Sequence, residues 1–196
     1  MTTLALHDFS WQRMIDAVEA VKERACRAAT ALERAGIPYA VAGGNAVAAW
    51  VARVDIDAVR NTNDVDILVR RSDFDAIKVA LESVGFEYHF VNGVDCFIDG
   101  PDGKPSRGVH LLFAGERVKA SYPVFNADVT ESEDADDYRI VTLEALVRMK
   151  LNSFRRKDQV HLEDLLAMGL VDESWSSRLC PEHAERLQQL IDNPDG

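Results

Sequence analysis

The chain has 196 residues, long enough to bury a substantial core as one domain or as a domain with a helical appendage. Its 33 acidic residues outweigh 22 basic ones to give a net charge of −11, which argues against a broad phosphate-tracking surface for duplex nucleic acid and leaves only a local basic pocket. No apolar run approaches the ~20 residues of a membrane-spanning helix, and the first residues carry neither a basic leader nor a long apolar segment, so a cytoplasmic protein with no membrane partner is expected.

In chain order, the first segment is capped at Asp8 or Ser10 and places Trp11, Ile15, Val18, Ala25, Ala29 and Leu32 on one stripe at helical spacing. Gly36 and Pro38 stop it. A short buried strand over 39–42 breaks at Gly43-Gly44, from which a helix runs to about residue 54. Two glycines let a backbone approach a ligand closely, and a helix start offers unpaired N–H groups and a positive dipole end, so this turn is a candidate anion site. A plain strand-to-helix turn capped by Asn45 is the alternative. The turn has neither the Rossmann nor the P-loop glycine spacing.

The next strand, 62–69, sends Val65, Ile67 and Val69 to the core and Asp64, Asp66 and Leu68 to the other face, which puts both carboxylates on one side. Ser72 is read as the cap of a helix whose stripe is Phe74, Ile77, Leu81 and Val84, ended by Gly85. Asn92-Gly93 joins strands 86–91 and 94–98 as a two-residue hairpin. A strand over 109–114 then places His110 on the face where the aspartates project. The stretch 128–137 carries six carboxylates in ten residues and reads as a solvated loop, with a docking tail or second metal site as alternatives. Cys26, Cys96 and Cys180 lack the spacing of a zinc site and read as reduced thiols.

The composition then turns helical. Thr142 caps a helix with Leu143, Leu146, Val147, Leu151 and Phe154 on its apolar face, and Lys150 falls within that face. A lysine there either snorkels outwards or meets an anion. Further helices start at Asp158 and near Pro181. The expected division is a core over 1–141, with its N-terminal packing helix, and a helical C-terminal subdomain over 142–196 packed on it.

A glycine turn at a helix start, a strand with alternate aspartates and a lysine in a helical face together suit a nucleoside triphosphate with magnesium, a hard cation that favours carboxylate and phosphate oxygens. Gly43-Gly44 followed by Thr62-Asn63-Asp64-Val65-Asp66-Ile67-Leu68-Val69 resembles the signature of the nucleotidyltransferase superfamily, the polymerase-β-like fold. The stretch from Leu146 through Arg155-Arg156-Lys157-Asp158 to Leu166 is similar to the helical region of small bacterial members, including AbiEii-like toxins.

The resemblance implies an α+β fold, a mixed sheet flanked by helices with a helical C-terminal subdomain. It implies Mg2+ or Mn2+, a nucleoside triphosphate such as ATP, and transfer of a nucleotidyl group to a hydroxyl acceptor. A toxin role would bring an antitoxin-like protein partner. By motif, Asp64 and Asp66 match the metal-binding pair and Gly43, Gly44 and Asn45 the phosphate turn, with Arg60, Thr62 and Lys150 as further nucleotide contacts. Members usually carry a third carboxylate on a later strand, often within V-D-L-L, and here that position reads Val109-His110-Leu111-Leu112. His110 takes its place as proton acceptor or metal ligand, and Asp95 on the neighbouring hairpin is a substitute carboxylate. The readings left open are an active transferase, a catalytically inert member that binds nucleotide or a protein partner, and an unrelated α+β domain with solvated aspartates.

Overall fold

A computed structural model describes residues 10–100 and 103–193. The chain builds α1 (Trp11–Arg34), β1 (Tyr39–Ala42), α2 (Gly43–Ala52), β2 (Val65–Val69), α3 (Phe74–Glu82), β3 (Phe86–Val91), β4 (Val94–Asp99), β5 (Val109–Phe113), β6 (Ser132–Asp134), β7 (Arg139–Val141), α4 (Leu143–Ser153), α5 (Arg156–Ala167) and α6 (Pro181–Asp192). The seven strands form one mixed sheet in the order β3-β4-β5-β2-β1-β7-β6. β2 runs antiparallel to β1 and parallel to β5, and β7 runs parallel to β1.

Strand alternation sorts the core into two layers. Tyr39, Val41, Val65, Ile67 and Val69 pack with α1 and α3 on one face. Ala40, Ala42 and Leu68 pack on the other with residues of α2, α4, α5 and α6, including Val47, Leu146, Leu162 and Leu187. The fold is the α+β arrangement expected, a mixed sheet with helices on both sides. No helix among the described residues is long and apolar enough to cross a membrane, and the three cysteines are free thiols.

Several local expectations are corrected. Ser10 does cap α1, its hydroxyl accepting from the Arg13 N–H at 3.3 Å, while Asp8 lies outside the described residues. The helix buries its stripe only from Val21 onwards, and Trp11, Ile15 and Val18 are 70%, 50% and 41% exposed. Twenty-four residues span about 36 Å, whereas strands of four and five residues span about 13–17 Å, so the first turns extend past the sheet. Ser72 does not cap α3: residues 71–73 form one tight turn and the helix starts at Phe74 without a side-chain cap.

The acidic stretch is more ordered than a solvated loop. Its residues Ser132–Asp134 form the edge strand β6, paired antiparallel with β7. Arg139 pairs with Asp134 and Arg53 with Glu133, so the charges sit along a short sheet edge, where they oppose pairing with another chain. The hairpin forms as read, with Asn92 and Gly93 both at positive φ, 53° and 82°.

Candidate functional site

The site forms where the carboxyl end of β1 turns into α2. Gly43 sits at φ 63°, and a Cβ built on it would fall 2.0 Å from Asp66 Oδ2. Only glycine lets the backbone turn there and also lets Asp66 lie across it. A Cβ on Gly44 would meet the Thr62 side chain at 3.0 Å. Asn45 does not cap α2. Ala42 occupies that position without a side-chain bond, and Asn45 Nδ2 donates to the Asp64 carbonyl at 2.8 Å. The first turn of the helix is thereby tied to the strand that carries the aspartates.

Thr62 completes the support, its hydroxyl donating to Asp64 Oδ1 at 2.6 Å. Asp66 pairs in register with His110 across the parallel β2–β5 ladder, which brings Asp64, Asp66 and His110 together. His110 Nδ1 lies 3.8 Å from Asp64 Oδ2 and 3.6 Å from Asp66 Oδ1. Its Nε2 is 2.7 Å from the Pro105 carbonyl oxygen. Burial pushes the Asp64 carboxyl up, but the Thr62 hydroxyl, Lys157 and His110 outweigh it and hold the group below the ordinary carboxylate range. Asp66, against the effect of burial and with help from Pro105 and Asp64, raises the proton affinity of His110.

These groups open onto a cleft of about 770 Å³ between the sheet and α4–α5. Its lining brings the cations Lys104, Lys150, Arg155 and Lys157 together with Asp64, Asp66 and Asp158, and includes the apolar Val91, Val94, Leu112 and Met149. A protein of strongly negative net charge thus gathers four cations at one place, beside three carboxylates. Lys157 Nζ approaches Asp64 Oδ2 at 3.6 Å.

Lys150 has the anionic partner that its burial requires. It is 5% exposed and Asp158 1%, with Nζ 3.3 Å from Asp158 Oδ1. Arg155 Nε and Ser153 Oγ donate to the other carboxylate oxygen at 2.8 and 2.7 Å. Burial lowers the Lys150 pKa, with Asp158 opposing it. For Asp158, burial is overcome by Arg155, Lys150 and Ser153, which bring its pKa down to about 2. Of the remaining candidates, Arg60 is held by Asp164, with Nε 2.9 Å from both carboxylate oxygens, and it is not among the residues that line the cleft. Asp95 is not at the site either. Cys96 is the residue opposite His110, so Asp95 faces the other side of the sheet, where it accepts from the Tyr88 hydroxyl at 2.8 Å.

Asp64, Asp66 and His110 each offer one ligand atom, all within 4.8 Å of one another. Two carboxylates and an imidazole form a donor set that a divalent cation fits, and the open cleft leaves positions for substrate oxygens. Lys157 and Arg155 were not singled out in the sequence, although the basic run 155–157 at a helix start was a signal that pointed to them.

No family model matches the chain, and no curated protein does. Solved structures share the fold. An antigenic nucleotidyltransferase-like protein from Paracoccidioides brasiliensis is 18% identical, with a TM-score of 0.57 over 91% of each chain. The antibiotic-resistance factor ANT(2'')-Ia is 13% identical, with a TM-score of 0.54 over 91% of this chain and 94% of its own. JHP933 from Helicobacter pylori is 16% identical, with a TM-score of 0.52 over 96% of this chain and 78% of its own. At these identities the likeness establishes a nucleotidyltransferase-like fold.

Proposed function

We propose that the chain is a metal-dependent nucleotidyltransferase that moves a nucleoside monophosphate from a nucleoside triphosphate to a hydroxyl acceptor. The observation that carries this reading is the meeting of Asp64, Asp66 and His110 beside the Gly43 turn, in a cleft that cations also line, in a nucleotidyltransferase-like fold.

In this reading the start of α2 at Gly43 and the cations Lys150, Arg155 and Lys157 receive the triphosphate, whose charge of about −4 suits a gathering of cations in an acidic protein. The acceptor oxygen attacks the α-phosphorus in line, the bond to the bridging oxygen breaks, and pyrophosphate leaves with the electron pair. A carboxylate oxygen of the Asp64–Asp66 pair takes the hydroxyl proton. A bound divalent cation would neutralise phosphate charge and acidify the attacking hydroxyl. Gly43 keeps Asp66 in place, and Thr62 and Asn45 keep Asp64 in place. The apolar residues in the cleft lining, Val91, Val94, Leu112 and Met149, support an acceptor or base with an apolar face. The similarity of 146–166 to AbiEii-like proteins supports a toxin-type role for the same chemistry, which growth arrest on expression, relieved by Asp64→Asn, would test.

The central test is a thermal-shift panel of the four ribonucleoside triphosphates with and without divalent cation, followed by incubation of each labelled triphosphate with cell extract. A cation-dependent rise in melting temperature that Asp64→Asn and Asp66→Asn abolish is expected, because a ligand stabilises only the state it binds. Label on an acceptor separates the transferase from an inert nucleotide-binding member. Variants that bind nucleotide and cation like the parent would show that the site is elsewhere.

A further inference from the structure

We infer that His110 Nδ1 is a metal ligand, which makes Asp64, Asp66 and His110 a mixed oxygen–nitrogen site that prefers divalent cations of the first transition series to Mg2+. The inference rests on the nucleotidyltransferase reading for its purpose and on the placement of the ring for its chemistry.

The Pro105 carbonyl oxygen can only accept a hydrogen bond, so the ring nitrogen 2.7 Å from it, Nε2, carries the hydrogen. In the neutral ring the lone pair is then on Nδ1. A histidine whose other ring N–H is held by a backbone carbonyl is fixed in tautomer and orientation, the usual support of a metal-bound imidazole. Pro105 opens the single turn 105–107 just before β5, so the support and the ligand lie on one short segment.

Nδ1 is directed between Asp64 Oδ2 and Asp66 Oδ1, at 3.8 and 3.6 Å. Both distances exceed those of a good N–H···O bond, about 2.7–3.2 Å. A bare lone pair facing two carboxylate oxygens is repulsive, so Nδ1 meets them either with a proton or as a donor to a cation that the same two carboxylates hold, and a divalent cation that displaces the proton engages all three atoms at once. Each donor is also held from outside the group. Asp64 is fixed by Thr62 and Asn45, Asp66 lies against the Gly43 backbone, and His110 is fixed by Pro105.

The nitrogen decides which cation is preferred. Mg2+ favours a near-octahedral shell of oxygens and gives up its waters reluctantly. Affinity for nitrogen-containing sites rises along the series from Mn2+ towards Cu2+. Exchanging a carboxylate for an imidazole also removes one negative charge, which weakens the hold on a hard cation most. Mn2+ is the most stringent probe because it stands lowest in that series, and its unpaired electrons report directly on bound nitrogen.

The experiment uses the full chain without nucleotide. Mn2+ binding is measured by electron paramagnetic resonance and Mg2+ binding by competition against it. Mn2+ is expected to bind at least about tenfold more tightly than Mg2+, and pulsed spectra of the Mn2+ complex are expected to show modulation from a directly coordinated nitrogen. In His110→Asp the nitrogen signal disappears and the Mn2+ to Mg2+ ratio falls several-fold. The nitrogen signal is read on the parent protein, so the inference stays testable even if the variant folds poorly. A Mn2+ complex that Asp64→Asn abolishes, yet that lacks bound nitrogen, overturns this inference and leaves the transferase reading standing. Mn2+ that does not bind, or that binds Asp64→Asn as it binds the parent, overturns both.

Discussion

Asp66 fills the space that a side chain on Gly43 would need: a Cβ there would lie 2.0 Å from Asp66 Oδ2 and 2.7 Å from its carboxyl carbon. The contact ties the strand-to-helix turn to the aspartate that the proposed chemistry needs. Gly43→Ala is expected to cost about 1–2 kcal/mol from the left-handed backbone alone and to displace the Asp66 carboxylate in addition. Cation-dependent stabilisation by nucleotide should therefore vanish in a variant that still melts cooperatively. Gly44→Ala, at ordinary φ and with Thr62 as its nearest neighbour at 3.0 Å, should retain more of it. Thermal shifts with and without nucleotide read both effects.

Asp158 gathers Lys150, Arg155 and Ser153 around one buried carboxylate, and the two ends of the Lys150 pair are not equivalent. Asp158→Ala leaves the Lys150 ammonium buried without its partner, which costs about 3–5 kcal/mol when a buried pair is broken from one side. Lys150→Met keeps the apolar stem, and Asp158 keeps Arg155 and Ser153. A loss nearer 1 kcal/mol is expected there, in line with one ordinary hydrogen bond. Urea midpoints of the two variants should differ in this order, and the reverse order would contradict the assignment.

The legible part of the site was the part governed by strand alternation. Asp64, Asp66 and His110 fall on one face because side chains in β2 and β5 alternate, and the parallel register then sets Asp66 beside His110. The same rule, applied with the β4–β5 register that sets Cys96 opposite His110, moves Asp95 to the opposite face. What the sequence concealed was set by tertiary contacts. Asn45 looks like a cap and instead bonds Asp64 across the turn. β6 and β7 have three residues each, too few to show a period; β7 is placed by pairing with distant β1, and β6 by pairing with β7. Phe154 ends α4 in the left-handed conformation at φ 45°, a place that helix-capping rules give to glycine or asparagine. That turn brings Arg155 and Lys157 to the cleft.

His161 makes stability depend on pH in a stated direction. Burial, then Lys150 and Lys157, lower its pKa to about 4 from an ordinary value of 6.5, and its Nδ1 is buried without a hydrogen-bond partner. The unfolded chain therefore takes up a proton near pH 6.5 that the folded chain refuses until about pH 4. The resulting stability is present in full above pH 6.5 and is lost as pH falls through that window. His183, lowered by burial and Arg186, acts with the same sign, and the raised His110 acts with the opposite sign. His161→Gln isolates one contribution: its urea midpoint should fall less than the parent's between pH 7 and pH 4.5. An identical fall in both proteins would remove His161 from the account.

Lys157 and Arg60 are both exposed cations near the site, and their partners distinguish them. Lys157 Nζ stands 3.6 Å from Asp64 Oδ2 and lines the cleft, whereas Arg60 is bound to Asp164 on the flank of α5. A charge-assisted hydrogen bond contributes about 1.5 kcal/mol or more, so Lys157→Ala should weaken triphosphate binding by about tenfold. The same substitution removes a cation that holds the Asp64 carboxyl below its ordinary range, so the lower pH limit of cation binding should move upwards. Arg60→Ala should leave nucleotide affinity near that of the parent while loosening the contact between the 53–64 connection and α5. Calorimetric titration with a non-hydrolysable triphosphate compares the two. If Arg60→Ala shows the larger loss, the nucleotide crosses the flank of α5, outside the cleft to which Lys157 belongs.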